Sequence, residues 1–238
     1  MNAFFSLLEY DLTVLVRSWI VRFWFFVSIV GGVAAVVVAR NFADDSSFLL
    51  GWALVLYLAL GSLVILVNSV SAISLEYRFL GESIISRGIA PTPYVLAKLV
   101  SRSLGTIVMF LVILLPTSFF MMSNAQNNDL TVAGIWVGLA YWTLMLTVLT
   151  FLGITVSVLF TNTLFGLVVL GVFWYICLAL LDVAYWTEFS PEGVLGNLPL
   201  VLQGKSLIIE ITTLVSLGIF PLIILPFIAL KSLNNRDL

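Results

Sequence analysis

Hydrophobic positions along the chain form long runs that short polar segments separate. Four runs, at residues 19–39, 48–73, 99–122 and 207–230, each match the roughly 20 apolar residues of a transmembrane helix. Residues 130–181 contain no charged residue, and these 52 positions are too many for one helix and enough for two. The segment FTNT at residues 160–163 is the expected break. The pattern therefore predicts an all-α integral membrane protein with six transmembrane helices in one domain, residues 1–238.

Two segments outside these runs have their own patterns. Residues 1–18 are too polar to span a membrane, and their apolar side chains recur at roughly helical spacing, which predicts a helix lying in the membrane interface. The alternative is a simple extension of the first membrane helix. Residues 182–206, between the fifth and sixth helices, favour equally a re-entrant hairpin of two short helices and an ordered outer loop. The apolar positions of the first segment are Phe4, Leu7, Leu8, Leu12, Leu15 and Val16, while Glu9, Asp11 and Arg17 fall elsewhere.

The composition indicates a membrane environment, and the placement of basic residues predicts on which side of the membrane the termini lie. The chain is 62% hydrophobic and 9% charged, whereas a soluble domain carries about 25% charged residues, so lipid is the expected solvent. Six spans place both termini on one side. Basic residues concentrate on the cytoplasmic side of membrane proteins, and eight lie on the terminal side against Arg40 and Lys205 on the other. We therefore expect cytoplasmic termini. The eight are Arg17, Arg22, Arg78, Arg87, Lys98, Arg102, Lys231 and Arg236.

Several kinds of chemistry are not expected of this chain. It has no histidine and one cysteine, Cys177, so imidazole catalysis is excluded and a metal site is not predicted. No phosphate-binding G-x-x-x-x-G-K-[ST] motif and no paired carboxylates within one span occur. We expect no catalytic residue, no cofactor and no nucleic-acid partner. The predicted helices also lack central ionisable residues, which weakens a secondary-transporter interpretation.

Polar residues inside the predicted spans are candidates for lining a substrate pathway. Thr143, Thr147 and Thr150 recur at i, i+4 and i+7 on one face of the fourth helix, and Asn68 lies within the second. The alternative is that each hydroxyl bonds to its own helix backbone or to a neighbouring helix.

A polar island interrupts the apolar pattern at residues 75–102. Six of the 22 charged residues fall there, between the second and third helices. The order is a helical continuation of the second span, a turn containing Pro91 and Pro93, and a new helix, which together predict a rigid elbow. The island is either a docking surface for a partner or an ordinary solvated loop rich in positive charge. Its charged residues are Glu76, Arg78, Glu82, Arg87, Lys98 and Arg102.

The order of residues in this island resembles the cytoplasmic signature of ABC-2 type transporter permeases. That signature has an acidic residue, a glycine with polar neighbours, a basic residue, a proline turn and an opening lysine. The positions that carry the resemblance are Glu76, Gly81, Glu82, Arg87, Pro91 and Lys98.

The resemblance implies the permease subunit of an ATP-driven exporter in the plasma membrane. A second copy or homologue would complete the pathway within the membrane lipids. Separate ATPase subunits would bind ATP and Mg²⁺ and dock on residues 74–98, with Arg78 and Pro93 part of the coupling region and residues 82–90 as the coupling helix.

Other functions stay open at this stage. A haem-exporter-like permease of cytochrome c maturation is also six-helical, and its turn resembles the segment PTPYVLAK at residues 91–98. A non-transporting membrane anchor would use the island only to recruit a partner. An integral membrane enzyme is the least favoured alternative, since no catalytic constellation is visible.

Overall fold

A computed structural model describes the backbone of residues 3–42, 44–86, 91–160, 162–183, 191–205 and 207–234. Side chains are described for residues 4–42, 44–74, 92–160, 162–176, 197–205 and 218–232. The described chain folds into eight helices. They are α1 (Ala3–Arg17), α2 (Trp19–Asn41), α3 (Ser46–Ser86), α4 (Pro91–Asn124), α5 (Val132–Leu159), α6 (Thr163–Val183), α7 (Pro191–Leu202) and α8 (Leu207–Asn234).

Four of the helices in the described residues are long and apolar enough to cross a membrane. They cover Trp19–Asn41, Ser46–Ser74, Thr92–Asn124 and Val132–Leu159, and they match the first four predicted spans. Within the residues whose side chains are described, α6 and α8 contribute shorter apolar stretches, Thr163–Ile176 and Gly218–Ser232, where the fifth and sixth spans were expected. The structure is thus that of an all-helical protein compatible with a membrane location, with four long apolar helices rather than six demonstrated spans.

The apolar helix α5 lies at the centre of the bundle. Half of its residues are buried, from Gly134 to Val158, and α3, α4 and α8 pack around it. Close approach of α3 requires Gly153, because a Cβ at this position would collide with the buried hydroxyl of Ser69. The predicted break at FTNT is confirmed, because α5 ends at Leu159 and α6 begins at Thr163. The side-chain oxygen of Asn162 accepts a hydrogen bond from the Leu164 N–H at 3.0 Å and so caps α6.

The first helix is separate from the first membrane helix. The chain breaks at Ser18, whose backbone angles of φ −59° and ψ 126° are not helical, and α1 packs against α4. The alternative of one continuous N-terminal helix is therefore wrong. The assignment of polar and apolar faces needs one correction: Asp11, predicted away from the apolar stripe, is buried with Leu15, whereas Val16 is exposed. Asp11 lies three and four residues from Leu8 and Leu15, on the same helical face.

The second and third long helices extend beyond the spans. Helix α3 has 41 residues, which corresponds to about 60 Å, and it continues from Ser74 to Ser86. The predicted helical continuation of the second span is confirmed. Helix α4 begins at Pro91, earlier than the predicted start after the proline turn. Prolines are tolerated there because the N–H groups of the first turn have no partner within the helix.

The segment between the fifth and sixth helices contains α7. Its buried residues Leu198, Val201 and Leu202 pack on α3 and α5. Residues 184–190 lie outside the described part of the chain, so the second helix of the predicted hairpin stays a prediction.

Candidate functional site

Each end of the bundle carries a polar cluster. The cluster at the end where α1 lies is next to the predicted coupling region. We call Asp11, Lys98, Ser101 and Arg102 the Asp11 cluster. Residues 98, 101 and 102 share one face of α4, because their spacing of i, i+3 and i+4 brings them into line on a helix. This face meets α1, and the cluster lies within the first three turns of α4, directly after Pro91 and Pro93.

A buried carboxylate is the centre of this cluster. Asp11 is only 1% exposed. Its Oδ1 accepts hydrogen bonds from the Lys98 ammonium at 2.6 Å and from Nη2 of Arg102 at 2.9 Å. Its Oδ2 accepts a hydrogen bond from the hydroxyl of Ser101. Lys98 and Arg102 are also buried, at 3% and 7% exposed, so a single acidic group of α1 holds two cations of α4 away from solvent.

The electrostatics keep this carboxylate ionised. Burial raises the pKa of Asp11, but the charges of Arg102 and Lys98 and the hydrogen bonds from Lys98 and Ser101 together lower it more. The resulting pKa lies below the ordinary value of 3.8. Because each partner favours the charged form, the ion pairs persist across the physiological pH range.

Packing around the cluster makes α1 and α4 a closely fitted pair. One turn beyond Asp11, the Leu15 side chain occupies the space beside Gly105, where a Cβ would lie 2.8 Å from Cδ2 of Leu15. At the start of α4, the ammonium of Lys98 lies 5.7 Å from the ring centre of Tyr94, a cation–π distance. Displacement of α4 at this level would therefore require α1 to follow or the buried ion pairs to break.

An apolar cluster connects the same level of α4 to the rest of the bundle. Tyr94, Val95 and Leu99 of α4 pack with residues of α3, α5 and α8. Leu7 of α1 and Leu230 of α8 also contact it, so the first and last helices reach the same end of the molecule. The remaining buried members are Ala72, Ile73, Ile154, Val158 and Ala229.

Hydrogen bonds fix α3 at the point where its candidate span ends. The Ser157 hydroxyl of α5 accepts from the backbone N–H groups of Ile73 at 3.1 Å and Ser74 at 2.9 Å. The Ser74 hydroxyl lies 2.7 Å from that of Thr163, at the start of α6. Helix α3 is therefore bonded to α5 and α6 directly before its continuation, residues 75–86.

The opposite end of the bundle carries the second cluster, which we call the Asp129 cluster: Ser46, Ser47, Asn127, Asp129 and Gln203. The carboxylate of Asp129 accepts from the Ser47 N–H at 2.8 Å, the Ser47 hydroxyl at 2.5 Å and the Gln203 amide at 2.7 Å. The Ser46 N–H donates to the carbonyl of Asn127 at 3.1 Å. These bonds join the start of α3 to the α4–α5 and α7–α8 connections.

The residues predicted to couple to an ATPase are only partly described. Side chains of Glu76, Arg78, Gly81, Glu82, Arg87 and Pro91 lie outside the described residues. The backbone of residues 76–86 belongs to α3, and Pro91 and Pro93 lie in the first turn of α4. Lys98 and Arg102 are buried in contact with Asp11, which corrects the expectation that these charges of the island face a docked partner or solvent. Their part in coupling stays a prediction.

The candidates for lining a pathway all lie on long apolar helices. The hydroxyls of Thr143, Thr147 and Thr150 donate to carbonyls four residues earlier at 2.7, 2.7 and 2.8 Å, as the backbone-bonding alternative expects. Thr147 and Thr150 are buried, Thr143 is half-buried, and Asn68 of α3 is half-buried. That these residues line a substrate pathway stays a prediction.

Sequence reasoning missed both carboxylates at the centres of the clusters. Asp11 had a visible signal, because an acidic residue between Leu8 and Leu15 interrupts an apolar helical face. Asp129 had no such signal, since its partners Ser47 and Gln203 lie 82 and 74 positions away in the sequence. No protein-family model matches the sequence, and no curated protein matches it.

Proposed function

We propose that this chain is the membrane-spanning permease subunit of an ATP-driven ABC-2 type exporter. It would form the substrate pathway with a second copy or homologue in the plasma membrane, with both termini in the cytoplasm. Separate ATPase subunits would bind ATP and Mg²⁺, and this chain would hydrolyse nothing itself. The resemblance of residues 76–98 to the permease signature is the sequence support for this proposal.

The observation that carries the proposal is the Asp11 cluster. An exporter of this kind needs a membrane helix that moves when a soluble partner pushes on it. Helix α4 begins directly after the predicted coupling helix, residues 82–90, and its first turns are bonded to α1 by buried ion pairs and to α3, α5 and α8 by apolar packing. Force applied at residues 82–90 would reach α4 within a few residues and would move α1 with it.

The ion pairs make this movement a rigid-body one. Removing one partner of a buried ion pair leaves an uncompensated charge, which costs about 3–5 kcal/mol. Sliding α1 past α4 would require a similar separation of charges. A small displacement of α4 therefore moves α1 with it. Closely packed interfaces transmit such movement as discrete rearrangements.

The test is co-expression with an ATPase encoded beside the gene, followed by purification in lipid nanodiscs and measurement of ATP turnover. We expect the ATPase to co-purify with the wild type. The variant carrying Glu82→Arg and Arg87→Glu should detach it or uncouple its turnover. A matched charge swap at the end of α2 and in the α2–α3 connection, Arg40→Glu with Asp44→Arg, should leave binding and turnover unchanged.

Two results would overturn the proposal. If no ATPase binds the wild-type chain, the exporter function is wrong. If an ATPase binds but its turnover is the same with and without this chain, the chain is an anchor that recruits the partner.

A further inference from the structure

The junction of α1 and α2 forms a tight, well-defined elbow. Only Ser18 separates the two helices, and its N–H donates to the carbonyls of Val14 at 3.0 Å and Leu15 at 3.1 Å. The carbonyl of Ser18 accepts from the Arg22 N–H at 3.1 Å, the first backbone hydrogen bond of α2. The elbow therefore has a fixed angle, and side chains on its two arms keep a constant relation to each other.

A cleft of about 400 Å³ lies in this elbow. Its lining consists of Leu12, Thr13, Val16, Arg17 and Arg22. The Nε of Arg22 donates to the carbonyl of Val16 at 2.9 Å, which is one of the last carbonyls of α1 and has no partner within that helix. This bond fixes Nε of Arg22 at the end of α1, and among the described residues it is the one side-chain hydrogen bond of Arg22.

Two guanidinium groups thus border one small space. Among the residues that the structure describes, the ion pairs to Asp11 involve Lys98 and Arg102, and neither Arg17 nor Arg22 forms a salt bridge. Both arginines are exposed. The planar fork of arginine donors matches the oxygens of a phosphate in a bidentate manner, so the cleft suits a phosphate group.

The surroundings of the cleft favour a phosphate that carries hydrocarbon chains. Val16 is 63% exposed and Trp19, the first residue of α2, is 77% exposed, so apolar surface flanks the two arginines. Trp is typical of the boundary between headgroups and acyl chains. The cleft lies at the base of a helix long enough to cross a membrane. Its arginines suit the phosphate headgroup of a lipid, and the exposed apolar side chains beside it suit the acyl chains.

We propose that this cleft binds the phosphate headgroup of an anionic membrane lipid, with Arg17 and Arg22 as the phosphate ligands. The acyl chains lie along the exposed apolar surface of α2. The proposed function is used only to assign the leaflet: with cytoplasmic termini, the lipid comes from the cytoplasmic leaflet, whose anionic lipids attract basic segments near the membrane. The bound lipid would hold α1 against the membrane surface.

The test uses the full chain without any ATPase, so that its outcome is independent of the exporter function. Delipidated protein in detergent is titrated with phosphatidylglycerol or with phosphatidylcholine, and bound lipids are counted by native mass spectrometry. The wild type should retain phosphatidylglycerol in preference to phosphatidylcholine. Each of Arg17→Gln and Arg22→Gln should weaken that retention about fivefold, the contribution of one basic residue near an anionic membrane surface.

Control variants and a competitor make each outcome decisive. Arg40→Gln removes an exposed charge at the other end of α2 and should leave retention unchanged. Arg17 makes no side-chain hydrogen bond among the described residues, so its variant tests the site even if Arg22→Gln disturbs the elbow. Equal losses in Arg40→Gln, or retention unaffected by Arg17→Gln, would overturn the proposal. Displacement of the lipid by millimolar inorganic phosphate would instead identify a site for free anions.

Discussion

Asp11 and Lys98 are separated by 87 positions in the sequence, yet the Asp11 carboxylate and the Lys98 ammonium lie 2.6 Å apart in the interior of the protein. Lys98 is 3% exposed and Asp11 is 1% exposed. The pair joins the N-terminal helix to the beginning of the helix that follows the polar island. Two helices that are far apart in the sequence, α1 and α4, are therefore joined at one end of the bundle.

Removal of the Asp11 carboxylate should be strongly destabilising. In Asp11→Ala, Lys98 and Arg102 would lose a buried counter-charge, and we expect a loss of about 3–5 kcal/mol in the free energy of unfolding. Thermal unfolding of the purified protein in detergent measures the effect. Glu9→Ala is the matched control, because Glu9 lies on the same helix and is exposed, and it should unfold like the wild type. Equal stability of the two variants would contradict the structure of the cluster.

The contribution of Asp11 should depend on pH in a defined direction. Its pKa is lower in the folded protein than the ordinary value of 3.8, so folding favours the ionised form. The stabilisation is fully present above pH 3.8 and is lost as the pH falls through the folded pKa, below that value. We expect the stability difference between wild type and Asp11→Asn to be constant from pH 8 to pH 5 and to shrink below pH 3.8. A difference that already shrinks between pH 7 and pH 5 would refute this assignment.

Two glycines in apolar helices should respond oppositely to the same substitution. A Cβ at Gly153 would collide with the buried Ser69 hydroxyl between α5 and α3, whereas a Cβ at Gly171 of α6 would meet nothing within 4 Å. Gly153→Ala should destabilise the protein by about 1–3 kcal/mol through overpacking. Gly171→Ala should be neutral or slightly stabilising, because alanine favours the helix. Thermal unfolding of both variants measures the contrast, and similar behaviour of the two would contradict the packing of α3 on α5.

The Asp129 cluster should hold α7 on the bundle. Asp129→Ala removes the acceptor for both Ser47 donors and for the Gln203 amide, and a hydrogen bond to a charged group contributes about 1.5–3 kcal/mol. We expect faster hydrogen exchange of the backbone amides of α7 in this variant. Asp44→Ala, in the α2–α3 connection, changes an exposed carboxylate and should leave that exchange unaltered. Unaltered exchange in Asp129→Ala would show that packing alone holds α7.

The sequence predicts the long helices well because each depends on a local property. A run of about 20 apolar residues predicts a span wherever it occurs, and the polar segment FTNT predicts the end of α5. The start of α4 was less predictable, because two prolines favour a turn and also fit the first turn of a helix. The prediction of six spans is only partly supported, since four helices reach spanning length among the residues whose side chains are described.

The candidate site was much less predictable than the helices. Lys98 and Arg102 were singled out as charged residues of a polar island, where charge usually faces water. Their burial depends on Asp11, and only the packing of α1 on α4 brings that residue to them. A single sequence carries no direct record of such a distant pair. The interruption of an apolar helical face by Asp11 was the one local sign.

The most direct test of the central claim is ATP turnover of the assembled complex with Asp11→Asn, compared with Asp129→Asn. Both variants replace a carboxylate at the centre of a polar cluster, at opposite ends of the bundle. We expect the Asp11→Asn complex to assemble but to lose the turnover that depends on the permease, whereas the Asp129→Asn complex should keep it. Turnover in the Asp11→Asn complex equal to that of the wild type would contradict the claim that α1 and α4 transmit movement as one unit.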